Sequence, residues 1–210
     1  MRLLLGTKNS NKIREIKAIC TEFLDLELLT FSECPFSDVL EDGETFEENA
    51  RKKAQQICVQ TGLPVLAEDS GLEVYALGGA PGVHSARFAG ERKDDHANIE
   101  KLLALLKDSP DRRARFRCVA VLVWPNGDEL ISEGVLSGQI ALAPRGTAGF
   151  GYDPIFIPDG YTQTLAELGS QVKNQISHRR RALEGLMRQL QQRLSAGHLH
   201  REKGTEGQGA

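Results

Sequence analysis

The sequence predicts a mixed α/β or α+β fold, built on a sheet that combines parallel strands with an antiparallel hairpin. In the first half of the chain, short apolar segments alternate with amphipathic helical patterns, as they do in βαβ units. Farther along, the strand-like segments 114–124 and 129–140 flank a Pro-Asn-Gly-Asp turn, which is typical of a long hairpin. The length of 210 residues favours a single domain.

The first half of the chain is predicted to alternate between strands and helices. An apolar strand at 2–5 leads through a polar turn into an amphipathic helix, and a second strand follows at 26–29. Thr45 and Glu48 form a T-x-x-E capping box, which predicts the start of the next helix, and Gly62 is predicted to end it. Strands separated by helices in this way are compatible with parallel pairing.

The middle of the chain is predicted to contain short strands at 65–67 and 72–77, separated by an acidic turn. Segment 78–90 is rich in glycine and proline and is predicted to be a loop. Asp94 or Asp95 is predicted to cap the helix that precedes the hairpin, because a short polar side chain can accept hydrogen bonds from the first helical N–H groups.

The chain after the hairpin begins with a glycine-rich loop at 143–154 and an apolar strand at 155–157. A helix is predicted from about Ser177, because apolar residues then recur at helical spacing. The last residues have no apolar period. We therefore expect one domain over residues 1–194 and a disordered polar tail over residues 195–210.

Composition and charge exclude several classes of protein. The chain is 40% hydrophobic and 26% charged, which is typical of a globular protein, and its net charge of -3 argues against a nucleic-acid partner. The longest apolar stretch, 118–124, is too short to cross a membrane, and the apolar N-terminal run stops at Gly6, too early for a signal peptide. The cysteines lack C-x-x-C spacing, which indicates free thiols in the cytoplasm: Cys20, Cys34, Cys58 and Cys118.

Two pairs of acids are candidates for a metal site. Glu68 and Asp69 follow a buried apolar strand, where an unpartnered carboxylate costs several kcal/mol, so at least one of them should be functional. Glu41 and Asp42 lie in the acidic connector before the second helix. Carboxylate oxygens suit Mg²⁺, which completes its coordination with water and phosphate. For Glu41 and Asp42, solvated loop acids are an equal alternative.

A polar loop, Thr7 to Lys12, lies between the first strand and the first helix. A helix N-terminus offers N–H groups and the positive end of the helix dipole, which favours phosphate binding. Lys12 can add a point charge. The alternative is an ordinary surface loop with an Asn or Ser helix cap.

Basic residues near the C-terminal helix form a third candidate set. Lys53 lies on the capped helix, Lys173 precedes the last helix, and His178 and Arg179 lie near its start. Arg179–Arg181 can equally be a solvated helix face, because at most one or two of these arginines can point toward a cleft. His178 alone is equally compatible with packing or capping.

The glycine-rich loop is the fourth candidate. Gly146, Gly149 and Gly151 allow the backbone to approach a ligand closely, and Phe150 offers an aromatic face to a base. Asp153 is held extended by the proline that follows it. The alternative is a tight glycine-rich turn without a ligand.

Seven short motifs occur in order and span most of the chain. They are T-x-N-x-x-K at 7–12, T-F-x-E-N-A at 45–50, D-S-G at 69–71, G-G-A-P-G at 78–82, S-A-R at 85–87, F-G-Y-D-P at 150–154 and I-S-H-R at 176–179. In these motifs the chain closely resembles the inosine triphosphate pyrophosphatase family, also called non-canonical purine nucleoside triphosphate pyrophosphatases.

The resemblance implies a fold and an activity. The implied fold is α/β, with a long central mixed sheet, two α/β lobes and a substrate cleft between them; family members are usually homodimers. The implied activity is Mg²⁺-dependent hydrolysis of the triphosphates of inosine, deoxyinosine and xanthosine (ITP, dITP and XTP) to nucleoside monophosphate and pyrophosphate. The partner is then a small purine nucleotide.

The resemblance also implies roles for individual residues. Asp69 is the expected general base, Glu41 and Asp69 are the expected Mg²⁺ ligands, and Glu68 either contacts the metal or supports the site. The residues expected to bind the substrate are Thr7, Lys8, Asn9, Ser10, Asn11, Lys12, Lys53, Ser70, Phe150, Gly151, Tyr152, Asp153, Lys173, His178 and Arg179. The chain departs from the family pattern at Lys8, where many relatives have Gly, at Glu68, where bacterial relatives more often have Asp, and at His84, where Tyr is frequent.

Two other functions compete with hydrolysis. A nucleotide sensor would bind a purine nucleotide in the same cleft without cleaving it, but it would gain nothing from a carboxylate at Asp69 beside the phosphates. A nucleic-acid binder using Arg179–Arg181 is disfavoured by the net charge of -3 and by the scarcity of exposed aromatic candidates.

Overall fold

A computed structural model describes the backbone of residues 1–203 and the side chains of residues 1–196. It contains a six-stranded sheet formed by β1 (Arg2–Leu5), β2 (Glu27–Leu29), β3 (Val65–Val74), β4 (Arg113–Val123), β5 (Glu129–Ile140) and β6 (Phe156–Pro158). The strands are hydrogen-bonded in the order β2-β1-β3-β4-β5-β6. Strand β1 lies parallel to β2 and β3, whereas the pairs β3–β4, β4–β5 and β5–β6 are antiparallel. The predicted mixed sheet and its central hairpin are therefore confirmed.

Within residues 1–203, five α-helices pack against this sheet. They are α1 (Ser10–Cys20), α2 (Phe46–Thr61), α3 (Asp95–Leu105), α4 (Leu165–Ile176) and α5 (His178–Lys203). Short 3-10 helices lie at Tyr75–Leu77, Gly82–Arg87 and Asp153–Ile155, so the segment predicted to be a loop at 78–90 contains a short 3-10 helix.

Three helix ends follow the predicted capping chemistry. The Thr45 hydroxyl accepts from the Glu48 N–H, and the Glu48 carboxylate accepts from the Thr45 N–H, which completes the capping box of α2. Gly62 ends this helix in the left-handed conformation, which costs glycine no Cβ clash. Asp94 is the N-cap of α3, and this decides between the two predicted acids.

Helix α4 is absent from the sequence prediction. Its capping box, Thr164 with Glu167, was a usable signal. Gly169 interrupts the helix with a φ of 79°, so the segment consists of two short helices joined at a kink. A glycine inside a helical pattern weakens the prediction of a helix, which explains why this segment was not predicted.

The predicted acidic turn at Glu68 and Asp69 is wrong, because β3 runs without interruption from Val65 to Val74. Each of these residues pairs with a residue of β4, so the strand is held by a continuous ladder. Successive side chains of a strand point to opposite faces of the sheet. The side chains of Glu68 and Asp69 therefore point to opposite faces of the sheet.

The described apolar side chains form three clusters, of which two lie in one lobe and the third lies in a second lobe. In the first lobe, α1 and α5 pack on one sheet face through residues such as Ile16 and Leu186, and α2 packs on the other through residues such as Ala54. The second lobe lies at the far end of the hairpin, where Leu102 of α3 and Leu165 of α4 share one cluster. The predicted two-lobed α/β architecture is confirmed.

The last helix is longer than predicted. Helix α5 extends to Lys203, past the boundary predicted at residue 194. Residues 204–210 and the side chains from 197 onward lie outside the described part of the chain, so a disordered tail stays a prediction. Within residues 1–203, no helix has the length and apolar character required to cross a bilayer.

Candidate active site

A cavity of about 470 Å³ lies between the two lobes and collects most of the predicted site residues. The predicted residues that line it are Thr7, Lys8, Asn9, Asn11, Lys12, Glu41, Lys53, Asp69, Ser70, Phe150, Gly151, Tyr152, Asp153, Lys173, His178 and Arg179. Ser10 and Glu68 do not line it: Ser10 is exposed at the start of α1, and Glu68 is buried behind the cavity wall.

The N-terminus of α1 forms one end of the cavity. The Asn9 side chain caps the helix and accepts hydrogen bonds from the N–H groups of Asn11 and Lys12 at 3.0 and 3.2 Å. These two N–H groups are therefore already used by the protein. An anion bound here would be attracted by the helix dipole and by the side chains of Lys8 and Lys12 rather than by those two donors.

Asp69 lies in the cavity wall and is held in a fixed orientation. Its Oδ2 accepts from Asn49 Nδ2 at 3.1 Å, and its Oδ1 lies 3.8 Å from Lys53 Nζ. Asn49 is in turn anchored, because its Oδ1 accepts from the Gly43 N–H at 2.8 Å. Burial raises the pKa of Asp69, although the charges of Lys53 and Lys12 oppose this effect. A carboxylate with a raised pKa is a better proton acceptor.

Glu41 faces Asp69 across Lys53. Lys53 Nζ donates to Glu41 Oε2 at 2.7 Å and so bridges the two carboxylates. Burial disfavours the ionised form of Glu41, but Lys53 and then Lys12 bring its pKa below the usual value. Asp42, by contrast, is exposed and pairs with Lys52, so the solvated-loop alternative holds for Asp42 and not for Glu41.

Glu68 is fully engaged by protein donors on the opposite face of β3. Its Oε1 lies 2.8 Å from Lys12 Nζ and 3.2 Å from Arg179 Nη2. Its Oε2 accepts from Arg179 Nε and from Cys118 Sγ, the latter at 2.8 Å. Despite complete burial, Arg179 and Lys12 hold the pKa of Glu68 well below its usual range. Of the two predicted roles, support of the site fits this geometry, and metal binding does not.

A chain of alternating charges connects Glu68 to the far end of the cavity. Arg179 contacts both Glu68 and Glu15, and Lys173 Nζ bridges Glu15 Oε1 at 2.8 Å and Asp153 Oδ2 at 2.6 Å. Charges that are buried in this way are stable only when each has an opposite partner. Sequence reasoning missed Glu15, because a glutamate among the basic and apolar residues of an amphipathic helix has no distinguishing signal.

Aromatic side chains surround this far end. The Phe150 ring lies beneath Lys173 Nζ, 4.3 Å from its centroid, and Phe116 stacks on His178 with centroids 4.7 Å apart and planes at 11°. Tyr152 donates to the backbone carbonyl of Ser85 at 2.9 Å, which ties the glycine-rich loop to the 3-10 helix at 82–87. This end offers a flat apolar platform with cationic donors beside it, which suits a purine base.

His178 is buried in an environment that disfavours the protonated imidazole. Burial, followed by the charges of Arg179 and Lys173, lowers the pKa of His178 well below its usual value. Its Nδ1 is buried without a hydrogen-bond partner among the described residues. A buried polar atom of this kind gains free energy when a ligand supplies the missing partner. Phe116, which supports the ring, was not predicted as a site residue.

The residues at the Asp69 end fit a magnesium ion only together with a phosphate. The described part of the chain contains no group of three or more acidic, histidine or cysteine side chains arranged for a metal. Mg²⁺, however, commonly uses one or two carboxylates and takes its other ligands from water and substrate phosphates. Glu41 and Asp69, both beside Lys53, provide such a carboxylate pair.

Known proteins resemble this chain both in sequence and in structure. Residues 3–189 match the sequence profile of the Ham1 family. Proteins named dITP/XTP pyrophosphatase from Geobacter sulfurreducens and Streptomyces coelicolor are 50% and 48% identical, over 87% and 89% of this chain and 92% and 95% of their own. The solved structure of a HAM1 protein from Coxiella burnetii superposes with a TM-score of 0.84 at 44% identity and covers 91% of this chain and 99% of its own. The chain belongs to the Ham1 family.

Proposed function

We propose that the chain hydrolyses non-canonical purine nucleoside triphosphates, namely ITP, dITP and XTP, to the nucleoside monophosphate and pyrophosphate. This activity would remove such nucleotides from the pool. The observation that carries the proposal is the position of Asp69: a buried, oriented carboxylate in a cavity with a helix N-terminus at one end and an aromatic platform at the other. The names of the related proteins support the substrate class.

The proposed reaction uses Asp69 as the general base. Asp69 accepts a proton from a water molecule, and the water oxygen attacks the α phosphorus. The bond from this phosphorus to the oxygen that bridges to the β phosphorus breaks, and the bridging oxygen keeps the electron pair as pyrophosphate leaves. Lys12 and Lys53 supply positive charge near the phosphates, and Asn49 holds the carboxylate in position.

Magnesium is the proposed cofactor, held by Glu41 and Asp69. When bound, the ion would neutralise negative charge on the phosphate oxygens. The carboxylate pair supports this part of the proposal, and Glu68 is left out of it because its oxygens are engaged by Lys12, Arg179 and Cys118. We also propose a homodimer in the cytoplasm; the free state of all four cysteines is compatible with a reducing compartment.

Recognition of the base is proposed to occur at Lys173, His178 and Arg179. Lys173 and Arg179 are donors only, so they favour the 6-oxo group of hypoxanthine and xanthine. The exocyclic amino group of adenine would face the N–H groups of these side chains that Glu15, Glu68 and Asp153 do not already use, and would leave those N–H groups without an acceptor. An unsatisfied buried donor costs about 1–3 kcal/mol, which corresponds to roughly 10- to 100-fold in kcat/KM against ATP.

A panel of ITP, XTP, ATP and GTP with Mg²⁺, scored separately for pyrophosphate and orthophosphate, tests the function. We expect ITP and XTP to yield pyrophosphate with kcat/KM roughly 10- to 100-fold above ATP, and chelation of Mg²⁺ to stop turnover. Tight ITP binding without any product would support the nucleotide-sensor alternative. Release of orthophosphate alone would indicate stepwise phosphatase chemistry and contradict the proposal.

A further inference from the structure

The segment 89–94 crosses the rim of the cavity between the 3-10 helix at 82–87 and helix α3. Both of its ends are anchored: the Ala89 N–H donates to the buried Asn98 side chain at 2.7 Å, and Asp94 caps α3. Lys93, between these anchors, lines the cavity. Lys93 belongs to none of the seven motifs and has no role in the proposed reaction. Neither therefore explains why a lysine lines the cavity here.

The backbone of Lys93 adopts a conformation that lysine rarely takes. Its φ is 52°, and among the described residues it is the one non-glycine residue with a positive φ. A side chain in this left-handed region strains the backbone, and such strain is often found where a functional side chain must be directed. Among the residues whose side chains are described, none forms a hydrogen bond or salt bridge with the Lys93 amino group.

The charge of Lys93 acts at the carboxylate end of the cavity. Lys93 lines the cavity together with Glu41 and Asp38. It also lowers the pKa of Asp38, after the larger effect of Lys8. Lys93 therefore lies on the part of the cavity wall near the connector that carries Asp38 and Glu41.

We propose that Lys93 contacts the terminal phosphates of the bound triphosphate and stabilises the charge of the leaving pyrophosphate. This inference rests on the proposed function, which places the phosphates beside Asp69 and Glu41. Lys12 and Lys53 already have carboxylate partners within the protein, whereas the Lys93 amino group is available to a ligand. Lys93 is exposed and lines the cavity on an anchored segment, which suits contact with the outer phosphates of the substrate.

Binding of the two products, measured separately by calorimetry in the presence of Mg²⁺, tests this role. In Lys93→Gln we expect the Kd of inorganic pyrophosphate to rise about 10-fold, because one charge-assisted contact is lost, while the Kd of inosine monophosphate stays unchanged. The kcat/KM for ITP should fall by a similar factor. Lys93→Arg, which keeps the charge, should recover most of the pyrophosphate affinity.

Arg92→Gln is the matched control, because it removes the same charge from the same segment at a residue that does not line the cavity. It should leave both product affinities unchanged. An unchanged pyrophosphate affinity in Lys93→Gln, or an equal loss for both products, would overturn the inference. Because product binding is measured without turnover, this outcome is distinct from failure of the proposed function, in which the wild-type protein would release no pyrophosphate from ITP.

Discussion

The Asp69→Asn variant should retain its fold and its affinity for ITP but lose roughly 10²- to 10⁴-fold in kcat. The amide keeps the size of the carboxylate and an oxygen that can accept from Asn49 Nδ2, the partner 3.1 Å away in the wild type. It cannot accept a proton from the attacking water. The loss should therefore appear in kcat, measured by pyrophosphate release at saturating ITP and saturating Mg²⁺, and KM for ITP should change little.

A control for this variant is available on the same strand. Glu73→Gln removes a carboxylate four residues farther along β3, where it pairs with Arg115 and Arg117 outside the cavity. It should leave kcat essentially unchanged, because the Glu73 side chain does not line the cavity and its partners are Arg115 and Arg117. Equal turnover in Asp69→Asn and the wild type would disprove the assignment of Asp69 as general base.

The Glu68→Gln variant should lower the free energy of unfolding by about 3–5 kcal/mol. Glu68 is 2% exposed and is the shared partner of Lys12 and Arg179. Removing its charge leaves Lys12 without its salt-bridge partner and Arg179 with only Glu15, so part of the desolvation cost of these cations is no longer offset. Urea unfolding, with the midpoint and slope fitted separately, measures the change.

Two comparisons make this result specific. Glu27→Gln, which removes one partner of the exposed Arg2–Glu27 pair, should cost less than about 1 kcal/mol. If Glu68 were instead a magnesium ligand, the Glu68→Gln protein would keep its stability, and the Mg²⁺ concentration needed for half-maximal activity would rise. That pattern would contradict the supporting role given to Glu68.

Local signals predicted much of the fold. The capping box at Thr45, the glycine end of α2 and the hairpin turn depend on a few neighbouring residues, and the structure confirms each of them. The continuity of β3 could not be predicted in this way. Asp-Ser-Gly is typical of a turn, but hydrogen bonds to β4, some 50 residues away, keep the segment extended through Ser70.

The cavity was predicted only in part, for the same physical reason. Motif residues such as Asp69 and Phe150 line the cavity, whereas the role of Glu68 depends on Arg179, which is 111 positions away in the chain. Glu15 and Lys93 belong to no motif. Their roles depend on the charged groups that lie near them in the folded chain. Those groups come from distant segments of the sequence, so only the folded structure shows them.

The most direct test of the proposed reaction is turnover of ITP in water enriched in ¹⁸O, with mass spectrometry of both products. The proposed attack of water on the α phosphorus predicts that the label enters inosine monophosphate and that pyrophosphate stays unlabelled. Label in pyrophosphate, or in released orthophosphate, would mean that water attacks a different phosphorus. The position assigned to the substrate beside Asp69 would then be wrong.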